Sequence, residues 1–386
     1  MTDSTRLARI ALSGLVEPGS RDMGDLVDLH GPIEALARLR YGDAPPNLLT
    51  ATAMRRSTAD PITVAARMLE RTERLGARVI TPEDDEWPAQ LDDLRRISVD
   101  GRRADKDVYP PLCIWLRGPI RLDDAVARSV AVVGSRASSP YGNHVALELA
   151  YGLAERAWHV VSGGAFGIDA QAHRGAMTGG GVTVAVLACG VDRAYPAAHA
   201  NMFDRIVDDG LVVSEWPPGA DPHRHRFLIR NRVIAALTRG TVVVEASARS
   251  GAKQTAARAL QLGRRTMAVP GPVTSAMSVG THQLLRVLET RLVTSAAEII
   301  EEVGRIGDDL ATVERGPERD RDRLDPEIAQ VLDGVPARNA AGPGEIAAAA
   351  GVALRVAIQA LPLLKTMGFV VEDGGRWRLA PRRRAA

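Results

Sequence analysis

The sequence predicts an α/β protein. Its centre is an extended, Rossmann-type, doubly wound and mostly parallel sheet, with an N-terminal helical domain before it and a C-terminal winged helix after it. Three observations carry this. From Ser129 to Val303 short β-branched apolar runs alternate with amphipathic helical runs, the pattern of repeated βαβ units. Those apolar runs end in Gly or Ser and are apolar on both faces, as buried parallel strands are. Beyond residue 323, three helical runs precede two alternating runs joined at Asp373-Gly374-Gly375, a hairpin turn.

Residues 1–75 read as helical. LARIALSGLV and PIEALARLRYG are short amphipathic helices around a Gly-containing turn, and ITVAARMLERTERLGARVI is a helix running into a short strand. The segment Arg95–Tyr109 is charged and reads as a surface insertion. Residues 76–303 form the sheet domain, with its core at 129–303. There VAVVGS, HVVSGG, TVAVLA, GLVVSE, TVVVEA and TMAVPG are strands. GNHVALELAYGLAERA, IDAQAHRGAM, ANMFDRIVDD, RNRVIAALTR, TAARALQLG and THQLLRVLE are the helices between and after them. Residues 304–323 mix acids and arginines with little apolar content and read as a linker. Residues 324–380 give the winged helix, where Pro362 is expected to kink or shorten the third helix.

With 386 residues, 45% apolar and 25% charged, the chain has room for two or three domains and a sizeable core. Only three of its 49 Lys/Arg are lysine. Two cysteines, Cys113 and Cys189, supply neither a disulfide framework nor a zinc set and read as buried thiols. No apolar run reaches the length of a membrane span and no signal peptide is evident, so the expected compartment is the cytoplasm, with no membrane contact.

Charge is the feature that points to a ligand. Between Pro222 and Arg265 lie ten Lys/Arg and one acid, Glu245, in a chain whose net charge is only +2. This stretch falls late in the sheet, near strand ends. The surrounding loops carry the scarce rings Tyr141, Phe166, Trp216 and Phe227. Cations interleaved with ring faces suit a single-stranded nucleic acid. Three strand-end loops are rich in Gly and Ser: Gly134-Ser135-Arg136, Ser162-Gly163-Gly164 running on to Asp169, and Glu245–Thr255, which holds Ser250, Gly251 and Lys253. Such loops admit close backbone approach and offer free N–H groups to phosphate oxygens. Arg136, Arg230, Arg232 and Lys253 are the cations expected nearest the ligand, with Asn231 and Phe227 as polar and stacking contacts.

Two acids invite a catalytic reading. Asp169 and His173 lie four apart on one helix, as an acid–base pair would. The reading favoured here is an N-terminal Asp complementing the helix dipole with His packed behind it. Glu245 is expected to orient Arg230 or Arg232. The sequence lacks G-x-G-x-x-G, a P-loop, G-x-S-x-G and H-E-x-x-H, so no cofactor, metal or catalytic residue is expected.

Read in order, VAVVGSR, VVSGGAFGIDAQAH, VAVLACGVDRAYP, LVVSEWPPG, FLIRNRVIAAL, VVVEASARSGAKQTAARAL and AVPG resemble the DprA/Smf family of DNA-processing proteins, over Ser129 to about Leu285. Weaker similarity covers the N-terminal helices, which look like a sterile-α-motif-like cap, and the winged-helix tail. The resemblance implies a dimer that binds single-stranded DNA in a basic pocket and loads the RecA recombinase onto DNA in transformation and recombination. Single-strand-binding protein is a further partner, and no turnover is implied. It carries the DNA site onto Gly134, Ser135, Arg136, Ser162, Gly163, Gly164, Phe227, Arg230, Asn231, Arg232 and Lys253. The chain departs from the family pattern at Ala252-Lys253-Gln254 and at His282, where Asn is usual. The alternative is a nucleotide-binding or nucleotide-hydrolysing protein like the phosphoribohydrolases, whose P-G-G-x-G-T motif is not found in the sequence.

Overall fold

Nine strands form one sheet. In chain order they are β1 (Arg78–Ile80), β2 (Ile114–Arg117), β3 (Ser129–Val133), β4 (His159–Ser162), β5 (Thr183–Leu187), β6 (Leu211–Ser214), β7 (Gly240–Val243), β8 (Arg265–Ala268) and β9 (Thr290–Leu292). The computed structural model describes residues 3–97, 108–287, 289–305 and 320–381. Most of the expected insertion at 95–109 and of the expected linker at 304–323 therefore lies outside the described residues.

The strands lie in the order β1-β2-β6-β5-β4-β3-β7-β8-β9. From β6 to β9 every neighbouring pair is parallel. β2 joins β6 antiparallel, and β1 joins β2 the same way. The chain lays β3, β4, β5 and β6 outward in one direction, then returns to place β7 on the other side of β3. That reversal is a topological switch point, and the crevice beyond the carboxyl ends of β3 and β7 is where open α/β sheets bind ligands.

Helices cover both faces. They are α1 (Asp3–Leu15), α2 (Arg21–Tyr41), α3 (Pro46–Thr58), α4 (Pro61–Arg74), α5 (Leu122–Ala127), α6 (Pro140–Ala154), α7 (Ile168–Thr178), α8 (Ala200–Asp209), α9 (Arg226–Leu237), α10 (Ala252–Gln261), α11 (Val279–Leu285) and α12 (Ala296–Val303). Strand alternation sorts the core. Val130 and Val132 of β3 point to one face, with Leu149 and Leu153 of α6, Ala172 of α7 and Ile299 of α12. Ala131 and Val133 point to the other, with Val233 and Ile234 of α9 and Ala256 of α10. Towards the β2 edge, Trp115, Ala185 and Val212 meet Leu12 of α1, Met23 of α2 and Phe203 of α8. α2 bends where Gly31 takes φ 75° ahead of Pro32, so PIEALARLRY is its second half. Both cysteines are buried, and burial pushes the Cys113 and Cys189 thiols up to about 12 and about 11.

The chain divides into two units, Met1–Ala311 and Thr312–Ala386. The second holds α13 (Pro326–Asp333), α14 (Pro343–Ala350), α15 (Leu354–Thr366) and the antiparallel hairpin β10 (Val370–Asp373) and β11 (Arg376–Leu379). Val331, Ile346, Leu361, Leu364 and Trp377 form its core. α15 is not cut short at Pro362. It continues to Thr366, because Leu361 and Leu364 on either side are buried in that core and hold it. Among the described residues no single helix is long and apolar enough to cross a membrane.

Candidate nucleic-acid interface

A cleft of about 330 Å³ opens at the switch point. Gly134, Ser135 and Arg136 come to it from the loop after β3, and Phe227, Arg230 and Asn231 from the first turns of α9. Ser250 and Gly251 come from the loop before α10, and Asp169 from the start of α7. Ser247 and Thr255, within the expected Glu245–Thr255 loop but not named as contacts in it, complete that wall.

The loop after β3 is fixed by backbone approach. Ser135 N–H donates to the Glu245 carbonyl (2.8 Å), and Ile168 N–H donates to the Ser135 carbonyl (3.2 Å). A Cβ on Gly134 would stand 2.5 Å from Ile168 Cγ1 and 2.8 Å from the Glu245 carbonyl, so only glycine fits. Arg136 emerges from this anchored loop into solvent, with its guanidinium carbon 4.8 Å from the centre of the Phe227 ring. Phe227 also meets Tyr195, with ring centres 5.4 Å apart. Arg136 has no carboxylate partner among the described residues, so its charge faces the cleft.

Arg230 is placed differently. It is buried, its Nη1 donates to the Gly163 carbonyl (2.8 Å) and to the Val186 carbonyl, and its Nε donates to Asn231 Oδ1 (3.2 Å). Burial lowers its pKa to about 10 against the pull of Asp169, so it stays charged at neutral pH. Asp169 is itself buried, which raises its pKa. Arg230 and the backbone amides of Ala165, Gly163 and Gly134 oppose that rise. These amides were expected to be open to phosphate; they turn instead to a carboxylate of the chain. Asp169 and His173 do not form an open acid–base pair. His173 is fully buried with Nδ1 against Thr183 Oγ1 (2.7 Å), and it does not line the cleft.

Several expected contacts lie elsewhere. Arg232 is buried in a two-pronged ion pair with Glu215 and donates to the Tyr109 carbonyl (2.8 Å from Nη2), so its charge is spent inside the protein. Glu245 orients neither arginine. It accepts from Ser139 N–H (2.8 Å) and Ser139 Oγ–H (2.6 Å), and Ser139 caps α6. Ser162 is buried, its hydroxyl donating to the Val132 carbonyl (2.7 Å). Lys253 lies off the cleft, its Nζ donating to Gln283 Oε1 (2.7 Å) and the Ala248 carbonyl (3.1 Å). Trp216 is buried and donates to Glu17 (3.1 Å). The Tyr141 hydroxyl donates to the Pro270 carbonyl (2.6 Å).

The stretch of ten cations and one acid is thus partly neutralised in three dimensions. Arg226 pairs with Glu17 (2.8 Å), Arg232 with Glu215 and Arg264 with Asp93 (2.7 Å).

Gly164 and Phe166 belong to a neighbouring, more open groove of about 670 Å³ or to its support. This groove shares Arg136 and Ala137 with the first cleft and also holds Asn143, Gln171, Arg174 and His199. Gln171 and Arg174 are not among the contacts expected from the sequence. Among the described residues no cluster of three His, Cys, Asp or Glu is placed to hold a metal ion.

Known proteins resemble this chain in sequence and fold. A family described as DNA recombination-mediator protein A matches residues 78–304, the whole sheet from β1 to the end of α12. A DNA processing protein DprA of Mycobacterium tuberculosis strain H37Rv is 46% identical over 379 residues, covering 98% of this chain and 95% of its own length. The DprA of Streptococcus pneumoniae strain R6 is 41% identical over 192 residues, half of this chain and 67% of that one. The crystal structure of S. pneumoniae DprA superposes with a TM-score of 0.64 at 30% identity, covering 79% of this chain and 99% of that one. A match that runs through every strand of the sheet and, in one relative, through nearly the whole chain places this protein in the DNA recombination-mediator protein A (DprA) family.

Proposed function

We propose that this protein binds single-stranded DNA along the carboxyl edge of its sheet and acts as a mediator that places a RecA-type recombinase on that strand. The observation that carries the reading is the pairing of Arg136 with Phe227 at the mouth of the switch-point cleft. A guanidinium with no carboxylate partner beside a half-exposed ring matches a phosphate and a base of the same nucleotide. The cleft's titratable groups favour binding over chemistry: Asp169 and Arg230 are buried and committed to each other and to backbone. Membership of a recombination-mediator family supports a recombinase as the partner; the reading adds single-strand-binding protein as a further partner, a homodimer as the working form and the cytoplasm as the place. The hairpin-bearing C-terminal unit is read as a winged helix.

The test is fluorescence anisotropy with oligo(dT), with and without duplex competitor. Binding should prefer the single strand and weaken with salt by a log–log slope of about 0.7 per phosphate contact. Equal affinity for duplex, or no salt dependence, refutes the reading. A cleft of about 330 Å³ also has the volume of a small-molecule site. Release of free base or ribose 5-phosphate from nucleotides would therefore establish the phosphoribohydrolase-like alternative.

A further inference from the structure

Beside the switch-point cleft runs the second groove, where the exposed side chains of Phe166 and Arg174 have no evident task in the fold. Phe166 is 47% exposed. Its loop is built to show it. Gly164 and Gly167 on either side take φ 68° and 78°, and a Cβ on Gly167 would collide with the Ser135 carbonyl. The turn is therefore closed against the neighbouring loop and the ring is turned out. One edge of Phe166 is braced by His199, with ring centres 4.7 Å apart at 68°. His199 in turn is buried and held through Nδ1 at the Gly164 carbonyl (3.1 Å).

Opposite stands α7. Gln171 and Arg174, three residues apart, share one face of it, with the buried Ala170 beside them in the groove wall. Arg174 is exposed and, among the described residues, has no carboxylate partner. Arg136 is common to both depressions. The groove therefore repeats the chemistry of the cleft, an open guanidinium near a braced ring, one step further along the same edge.

We propose that the strand continues from the switch-point cleft over Arg136 into this groove, where Arg174 holds a backbone phosphate and Phe166 stacks a base. This rests on the single-stranded DNA reading above and extends it to a second nucleotide subsite. The guanidinium fork suits a phosphodiester, and the ring face accepts any base, so the subsite adds length dependence without sequence preference.

The experiment measures the affinity of the full chain for oligo(dT) of about four to about sixteen nucleotides, the span of single-strand site sizes. Wild type, Arg174→Ala, Arg174→Glu and Phe166→Ala are compared, with circular dichroism confirming the fold. Wild-type affinity should climb with length. The variants should match wild type on the shortest oligonucleotide and lose about tenfold or more on the longest, the range expected for one phosphate or one stacked base. Arg174→Ala should also lower the salt slope by about 0.7. Variants that follow the wild-type length dependence would overturn the second subsite while leaving the cleft intact. A wild-type protein that binds no oligonucleotide would overturn both readings.

Discussion

The Arg136 guanidinium and the Phe227 ring meet across the switch point, one from the loop after β3 and the other from the start of α9, 4.8 Å from guanidinium carbon to ring centre. Each restricts the other, so the cation and the ring face are presented together. Arg136→Ala should weaken oligo(dT) binding by about 1–3 kcal/mol, the value of a charge-assisted contact. Phe227→Ala should cost about as much through lost stacking. Arg249→Ala, on the loop before α10 but off the cleft lining, should do much less. Anisotropy titration of the three variants, with melting curves to show the fold intact, checks this.

Arg232 belongs to stability rather than to binding. It and Glu215 are both almost completely buried, and the arginine also satisfies the Tyr109 carbonyl. Arg232→Ala would leave the Glu215 carboxylate buried without its partner, at about 3–5 kcal/mol. Thermal melting should show that loss, and the fraction still folded should bind oligo(dT) as wild type does. The double variant Arg232→Met/Glu215→Leu should recover much of the stability, because the pair is removed whole.

What the sequence made legible follows from these contrasts. The six central strands were readable because residues such as Val130–Val133 and Val184–Leu187 are apolar on both faces, as a sheet covered on two sides demands. β9 was not. It is three residues long, and Arg291 and Leu292 are exposed at the sheet edge, so no apolar run marks it. α3 was also missed, since only Leu48 and Thr52 of its thirteen residues are buried. The candidate site was legible in its loops and at Arg136 and Phe227, where glycine and charge stand in sequence next to the strand ends. Net charge over a window misled. Arg226 and Arg264 find their acids 209 and 171 residues away, at Glu17 and Asp93, and a window sums cations without knowing where they point.

Acid sensitivity should centre on His173. Thr183 Oγ–H donates to the Val160 carbonyl, so the His173 Nδ1 facing that hydroxyl carries the proton, and Nε2 has no partner among the described residues. Burial, with the charges of His199 and Arg230 nearby, pushes the His173 pKa down to about 3, whereas it is about 6.5 in the unfolded chain. Below that value the unfolded chain takes up a proton that the folded chain refuses. Stability is therefore present above pH about 6.5 and is lost as pH falls towards 3, by at most about 1.4 kcal/mol per pH unit. Asp169 acts in the opposite sense near the acid end, because burial raises its folded pKa. The melting temperature should fall across this window, and His173→Gln should flatten the fall.

Cutting the chain after Arg305 should leave a folded protein that still binds single-stranded DNA. α12 ends at Val303, whose side chain is buried in the core beneath β3 and β7, and the second unit starts only at Thr312. All the residues of the cleft and of the α7 groove lie in the first unit. Loss of binding by a truncated protein with an intact melting transition would move the primary site to the C-terminal unit.

A strand held along the sheet edge can do more than stay bound. If a second surface of this protein holds a RecA-type recombinase, nucleation of the filament becomes effectively intramolecular and gains local concentration, with no covalent step. The protein should then shorten the lag of recombinase ATP hydrolysis on single-stranded DNA at substoichiometric amounts. Arg136→Ala should lose the effect in proportion to its loss of DNA affinity, even if it still captures the recombinase in a pull-down. Arg232→Met/Glu215→Leu, altered away from the cleft, should keep it. A lag that the wild-type protein leaves unchanged while binding the strand tightly would separate DNA binding from recombinase loading and remove the second from the proposed function.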